Sequence, residues 1–278
     1  MIFVADIINV IILGIVEGIT EFLPISSTGH LIVTSSLLQF TPSYIDTFNI
    51  FIQLGAVVAV LLFYRRDLWA QVKSVTTDRD VQHFWLAIII AGVPFAIVGF
   101  LLRGFVKEHL FRNEVVALSL IVGGIVLIIV ELAFSRNKPI ASTTQTEKGI
   151  IPISFRQAFI IGAFQMFALI PGVSRSASTI IGGLLSGLDR SSATRFSFFL
   201  AIPLLGGATI AELVLSLDEL QGDSLLYLVI GAVIAGIVAW FVIRWLLAFV
   251  AKHTFVGWGV YRIVVGIFIL LWTLSLAS

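Results

Sequence analysis

No cysteine occurs in the 278-residue sequence, which excludes disulfides and thiolate chemistry while leaving the redox compartment open. Charge is scarce as well: charged residues make up 12% of the chain, against roughly 25% in soluble domains. The net charge of +1 offers no broad basic face, so a nucleic-acid partner is not expected. Lys and Arg are absent before Arg65, and the first segment carries two Glu and no basic n-region, which argues against a cleaved signal peptide. Hydrocarbon fills the space that charge leaves. With 59% hydrophobic residues and a mean hydropathy of +1.09, this is the composition of a polytopic membrane protein, with membrane lipids as its solvent.

Six runs, at about 48–64, 84–102, 115–134, 196–217, 225–250 and 256–276, are long enough to cross the bilayer core. Two further regions, roughly 5–40 and 155–190, are equally apolar but are broken by Pro, Gly and hydroxyl residues at 24–29 and 171–179. Each is expected to form two half-helices joined by a polar turn. Irregular backbone at membrane depth is tolerated where protein or a water-filled cavity satisfies it, so the two breaks should meet inside the protein.

A shift of 148 residues places Gly14 on Gly162, Glu17 on Gln165, Ser26-Ser27-Thr28 on Ser174-Arg175-Ser176, and Thr47-Phe48-Asn49 on Arg195-Phe196-Ser197. Further along, the offset drifts to about 143 to bring Gly123 onto Gly266. The chain therefore reads as one integral membrane domain, 1–278, with internal repeats at approximately 1–134 and 150–278. Each half holds a broken hairpin and three spans, and an odd number of crossings turns the second half upside down. The expected fold is an all-α polytopic membrane protein: about six transmembrane helices plus two re-entrant hairpins in inverted-topology repeats.

Lys and Arg in short loops favour the cytoplasm. Loops 65–83 and 135–156 share one side and hold Arg65, Arg66, Lys73, Arg79, Arg136, Lys138, Lys148 and Arg156. The other side receives Arg103, Lys107 and Arg112, together with the acids Asp218, Glu219 and Asp223. Both termini are thus expected outside the cytoplasm, with the hairpins entering from opposite faces.

The two breaks carry polar groups that a membrane interior should exclude: Glu17-Gly-Ile-Thr-Glu21-Phe-Leu-Pro-Ile-Ser26-Ser27-Thr28-Gly29-His30, and Pro171-Gly-Val-Ser174-Arg175-Ser176-Ala-Ser178-Thr179. An ionisable group in hydrocarbon costs roughly 2.5–3.5 kcal/mol on insertion scales, so such groups line a cavity or pair with each other. Glu17 and Glu21 share a helix face, where they can hold a proton, bind a divalent cation through hard oxygens, or pair with a base on another helix. Ser26, Ser27 and Thr28 begin a half-helix, as N-caps or as an anion cradle with one Ser placed as nucleophile. His30 lies within a turn of Ser27 and is either its base or a satisfied core group. Arg175, among hydroxyls after a Pro-Gly break, offers a planar fork to phosphate oxygens, or rests on Glu17 or Glu21 when the site is empty.

These two segments, with Phe48-x-x-x-Ile52-Gln53-Leu-Gly55 and Arg195-Phe-Ser-Phe-Phe-Leu-Ala-Ile-Pro203, resemble the undecaprenyl-diphosphate phosphatase family, the bacitracin-resistance proteins, over essentially the whole chain. The resemblance implies hydrolysis of undecaprenyl diphosphate to the monophosphate outside the bacterial inner membrane, recycling the lipid carrier of cell-wall synthesis. It also implies a divalent cation, Mg²⁺ or Ca²⁺. The family's functional positions fall on Glu17, Glu21, Ser27, His30 and Arg175, with Ser26, Thr28, Ser174, Ser176 and Thr179 around them. The acid-phosphatase type of lipid phosphatase requires a His beyond its Ser-Arg motif, where this sequence has Ile181.

On this reading Arg175 and the hydroxyl turn hold the terminal phosphate, Ser27 attacks, and His30 or Glu21 takes its proton, while Glu17 is better cast in metal binding. A transporter or flippase of a polyprenyl phosphate or another anion is the alternative, since broken helices and a central Arg are equally expected there. His83, His109 and His253 read as interfacial, and Glu131, Glu212, Arg244 and Arg262 as span-end residues or interhelical pairs. Gly123-Gly124 and Gly206-Gly207 suit close helix packing, within the chain or in a homodimer. A reporter fused after Ser278 is expected to report a non-cytoplasmic location; a cytoplasmic signal would overturn the topology.

Overall fold

The computed structural model describes residues 2–134, 148–216 and 224–277. Among these the chain is helical throughout: α1 (Ile2–Thr20), α2 (Ser27–Leu37), α3 (Ile45–Phe63), α4 (Arg65–Ser74), α5 (Arg79–Phe105), α6 (Asn113–Phe134), α7 (Phe155–Gln165), α8 (Arg175–Leu185), α9 (Arg190–Leu215), α10 (Ser224–Val250) and α11 (Val256–Ala277). Six of them, α3, α5, α6, α9, α10 and α11, are long and apolar enough to cross a membrane, and they coincide with the six expected runs. The protein is an all-α, multi-pass membrane protein. Large apolar side chains such as Phe100, Leu101 and Phe241 face outward, as a bilayer solvent permits.

Several helices start earlier than the hydrophobic runs, because caps rather than charges set their ends. Asp78 accepts from the amides of Asp80 and Val81 to open α5, and Asp189 accepts from that of Ser192 to open α9. Residues 65–83, expected as a loop, instead contain α4. This short helix leaves Trp69 and Val72 exposed beside Arg65, Arg66 and Lys73, the pattern of a helix lying in a membrane interface. Its buried Gln71 donates to the Lys148 carbonyl at 2.9 Å and accepts from the Trp85 indole at 3.0 Å. Lys148 pairs with Asp78, and its hydrogen bond, with the Asp80 amide, holds that carboxyl below the usual range. The basic residues of 65–79 and Lys148 therefore gather at one end. Arg136, Lys138, Asp218, Glu219, Asp223 and Ser278 lie outside the described residues. His83, His109 and His253 each stack on a neighbouring Phe, at 4.1, 4.6 and 4.4 Å.

The two broken regions fold alike. In the first, α1 ends at Thr20 and α2 begins at Ser27; in the second, α7 continues through a single 3₁₀ turn, Met166–Leu169, before α8 begins at Arg175. The caps Ser26 and Ser174 stand 148 positions apart and share a backbone conformation that only Gly adopts freely, with φ 72° and 77°. Each Oγ accepts the amide three residues on, from Gly29 and Ala177. Holding a non-glycine there costs on the order of 1–3 kcal/mol, which persists where surrounding structure over-determines it.

Packing runs crosswise between the halves. The first hairpin's α1 packs on α10, the second hairpin's α7 on α5, and α6 lies along α11. Bare backbone makes these contacts close: a Cβ on Gly14 would sit 2.7 Å from the Gly231 carbonyl, and one on its shifted counterpart Gly162 would sit 2.8 Å from that of Ala91. The tightest approach joins α3 to α10, where a Cβ on Gly55 would lie 1.8 Å from the Ala232 carbonyl, whereas at Gly104 it would meet nothing within 4 Å. Gly55→Ala is therefore expected to lose about 1–3 kcal/mol by forcing these helices apart. Gly104→Ala should be neutral or gain up to about 1 kcal/mol from helix propensity. Thermal unfolding in detergent separates them, and equal melting temperatures would contradict the packing.

Candidate active site

The breaks meet tip to tip through one carboxylate. Glu21 follows the last turn of α1, and its two oxygens have different partners: Ser27 Oγ donates to Oε2 at 2.6 Å, and Arg175 Nη2 donates to Oε1 at 3.2 Å. Ser27 and Arg175 are the first residues of α2 and α8, so both helix N-termini point at this junction. The Arg175–Glu21 pair is nearly closed to solvent, with side chains 9% and 6% exposed. Arg175 Nη1 is fixed by Ser197, to its carbonyl at 2.8 Å and its hydroxyl at 3.2 Å, while the buried Nε has no partner.

A cavity of about 230 Å³ opens here, and six of the ten residues singled out in the sequence line it: Glu21, Ser26, Ser27, Thr28, Ser174 and Arg175. The other four stand one contact behind. Thr179 hydroxyl donates to the Arg175 carbonyl at 2.9 Å and its oxygen lies 2.7 Å from Ser197 Oγ, where the Ser197 hydroxyl can donate to it, so it braces the Arg and its anchor. Ser176 ties the second break to the first by donating to the Leu23 carbonyl at 2.7 Å, and its Oγ lies 3.1 Å from that of Ser174. Glu17, one turn before Glu21, is fully buried; no N–H or hydroxyl donates to its carboxylate oxygens, and its polar neighbour is the Glu21 carboxyl. Such a group must be met by a proton or a cation, because an uncompensated buried carboxylate is very costly.

His30 is turned away from Ser27. Its Nδ1 lies 2.7 Å from the Ser26 carbonyl, which can only accept, so Nδ1 carries the proton. In the neutral ring Nε2 is then an acceptor for the Tyr261 hydroxyl, also at 2.7 Å. Of the two bases considered for Ser27, the geometry places Glu21 at the hydroxyl.

Four contributors were not assigned from sequence. Gln53 of α3 lines the cavity and Ser197 of α9 anchors Arg175; both fall in segments that carry the family resemblance. Tyr261 has no motif of its own. Arg262, taken for a span-end residue or an interhelical partner, is fully buried, and it donates to five backbone carbonyls. Those carbonyls belong to Pro24 in the first break, Gly172 and Val173 in the second, and Ser119 and Leu120 of α6. The signal for it was available, since a guanidinium in an apolar run asks for a partner.

Each carbonyl left without its donor costs about 1–3 kcal/mol, so Arg262→Leu should lower the unfolding temperature and folded yield far more than Arg244→Leu at an exposed position. Arg262→Lys should recover only part, having fewer donors in a different geometry. Equal stability of the two Leu variants would remove Arg262 from this role.

Comparison with known proteins bears on the whole chain. The family model described as Bacitracin resistance protein BacA matches residues 10–268. An undecaprenyl-diphosphatase of Deinococcus radiodurans is 47% identical over 263 residues, covering 94% of this chain and 93% of that protein. Undecaprenyl-diphosphatase 1 of Paraburkholderia xenovorans is 45% identical, with 94% and 93% covered. Undecaprenyl-diphosphatase 3 of Acinetobacter baylyi is also 45% identical, with 93% and 94% covered. Because the family match runs from the first broken helix into the last span, the chain belongs to the bacitracin resistance protein BacA family.

Proposed function

We propose that this chain is a membrane phosphatase that hydrolyses undecaprenyl diphosphate to undecaprenyl phosphate and inorganic phosphate. The observation that carries the reading is the divided carboxylate of Glu21, which joins a serine hydroxyl to an arginine at the head of two half-helices. That set contains a nucleophile, its base and an anion clamp within one small cavity. The named relatives are phosphatases, which favours hydrolysis over transport.

In this mechanism the terminal phosphate of the substrate takes Arg175 from Glu21, and the N-termini of α2 and α8 share its negative charge. Ser27 Oγ then forms a bond to the terminal phosphorus and passes its proton to Glu21, while the bond from that phosphorus to the bridging oxygen breaks. The leaving group is a phosphate monoester with a second pKa of about 6, so it departs without a general acid. Glu21, having released that proton to solvent, draws one from the water that attacks the phosphoserine and returns one to Ser27. Ser197 and Thr179 keep Arg175 aimed, and His30 fixes the Ser26 turn through its carbonyl.

The donor chemistry also fits a divalent cation, Mg²⁺ or Ca²⁺. Among the described residues no three His, Cys, Asp or Glu side chains converge, so the ion would rest on Glu17, Glu21 and oxygens of the substrate. When bound it supplies positive charge for the diphosphate. The meeting of the Glu17 and Glu21 carboxyls, with no N–H or hydroxyl donating to Glu17, supports this assignment.

We further propose that the membrane is the bacterial inner membrane, with the cavity open to the extracytoplasmic side and both termini there. Support comes from the basic residues gathered around α4, the start of α5 and Lys148, which mark the cytoplasmic end.

Phosphate release from undecaprenyl diphosphate in detergent tests the assignment. Glu21→Gln should reduce kcat by about a hundredfold or more, the usual contribution of a positioned base. Arg175→Ala and chelator should each abolish release, and His30→Gln should cost less than Glu21→Gln. Retention of near-normal turnover by Glu21→Gln would refute the role of that carboxylate, and an inert, folded wild type would refute the phosphatase.

A further inference from the structure

The cavity that holds Ser27 and Arg175 is polar on one side only. Its other wall is made by Phe95 of α5, Ile170 at the second break, and Leu204, Leu205 and Ala208 of α9. These residues are half-buried or exposed, so the wall continues onto the outer face of the bundle instead of sealing the cavity. Two features of α5 and α9 lie along that way. Pro94 and Pro203 lie inside their helices immediately before Phe95 and Leu204, where each removes a backbone hydrogen bond. Beyond them α9 carries Gly206-Gly207, where an added Cβ would meet nothing within 4 Å.

An isoprenyl diphosphate joins a charged head to an apolar chain, so the chain must leave by an apolar wall continuous with the head site. We propose that the isoprenoid chain leaves the phosphate cavity between α5 and α9, with Phe95, Leu204, Leu205 and Ala208 lining its first stretch and the bilayer receiving the remainder. The inference rests on the phosphatase reading and adds the subsite for the tail. Larger apolar grooves serve less well. The one of about 600 Å³ between α3 and α10 shares no lining residue with the phosphate cavity. The one of about 450 Å³ between α6 and α8 shares Ile170 alone. The α5–α9 cleft is the one whose walls are also walls of the head site. Exposed Ile97 and Phe100 of α5 and Ile210 of α9 continue its apolar character outward.

The test compares undecaprenyl diphosphate with isopentenyl diphosphate, which carries the same head and a single isoprene unit. Ile97→Trp, which crowds the outward continuation of the cleft from an exposed position outside the phosphate cavity, should raise KM for the long substrate about tenfold, or about 1.4 kcal/mol. Its kcat/KM for isopentenyl diphosphate should stay close to that of the wild type. Val233→Phe in the α3–α10 groove should change neither. A second measurement does not depend on tolerance of the bulky side chain: p-benzoylphenylalanine at Leu205 should cross-link to undecaprenyl diphosphate on irradiation in vesicles, and at Val233 it should not. Equal loss on both substrates without a lipid cross-link at 205 would overturn the subsite, as would a cross-link there to a second copy of the chain. A wild type inert toward both diphosphates would instead sink the phosphatase reading on which it rests.

Discussion

The carboxylate of Glu21 is the joint of this protein. One oxygen holds Ser27 and the other holds Arg175, and these residues belong to segments separated by 154 positions, from Glu21 to Arg175. Apolar helices supply no reason for two broken segments to meet, since lipid solvates their outer faces as well as protein does. Polar backbone and ionisable side chains do supply it, because hydrocarbon will not accept them unpaired. The same constraint that forces the breaks together gathers the groups for chemistry on a phosphate. Structure and reactivity thus have a common origin in what the membrane excludes.

Arg262 extends this logic. It carries a full positive charge at zero exposure and spends its donors on five carbonyls, three of them in the two breaks. Helix breaks free carbonyls that a continuous helix would have consumed, and a five-donor guanidinium is well matched to collecting them. Gly123 makes room for it, since a Cβ there would fall 2.2 Å from Nη2. Small residues in α6 therefore serve the fold inside one chain. Gly206-Gly207, with open space around them, mark a different kind of place, on the helix that walls the cavity.

Much of this was legible in the sequence, and the gaps have physical causes. The six spans follow from length and hydropathy alone, and the breaks follow from Pro, Gly and Ser in otherwise apolar runs. Ser26 and Ser174, which the offset of 148 superposes, adopt the same rare backbone conformation. Interfacial helix α4 was hidden because a short amphipathic segment rich in charge reads as loop by composition. His30 shows the limit of spacing arguments: three residues from Ser27 guarantees nearness on a helix but not direction, and its ring turns to Ser26 and Tyr261. Thr179 and Ser176 likewise sit near the cavity and face its supports. For Arg262 the sequence leaves both an interfacial and an interhelical place open, since it lies in the second turn of α11, where an Arg usually reaches the interface; tertiary packing against α6 and both breaks decides for the second.

The central claim is that Ser27, relieved of its proton by Glu21, attacks phosphorus, so that the phosphoryl group is transferred twice before release. The most direct measurement is the stereochemical course of hydrolysis of a substrate whose terminal group is a thiophosphate made chiral with sulfur and two oxygen isotopes, run in water carrying the third isotope. Each in-line displacement inverts the phosphorus. Two displacements through phosphoserine predict overall retention of configuration, and inversion would show that water attacks directly and would contradict the account.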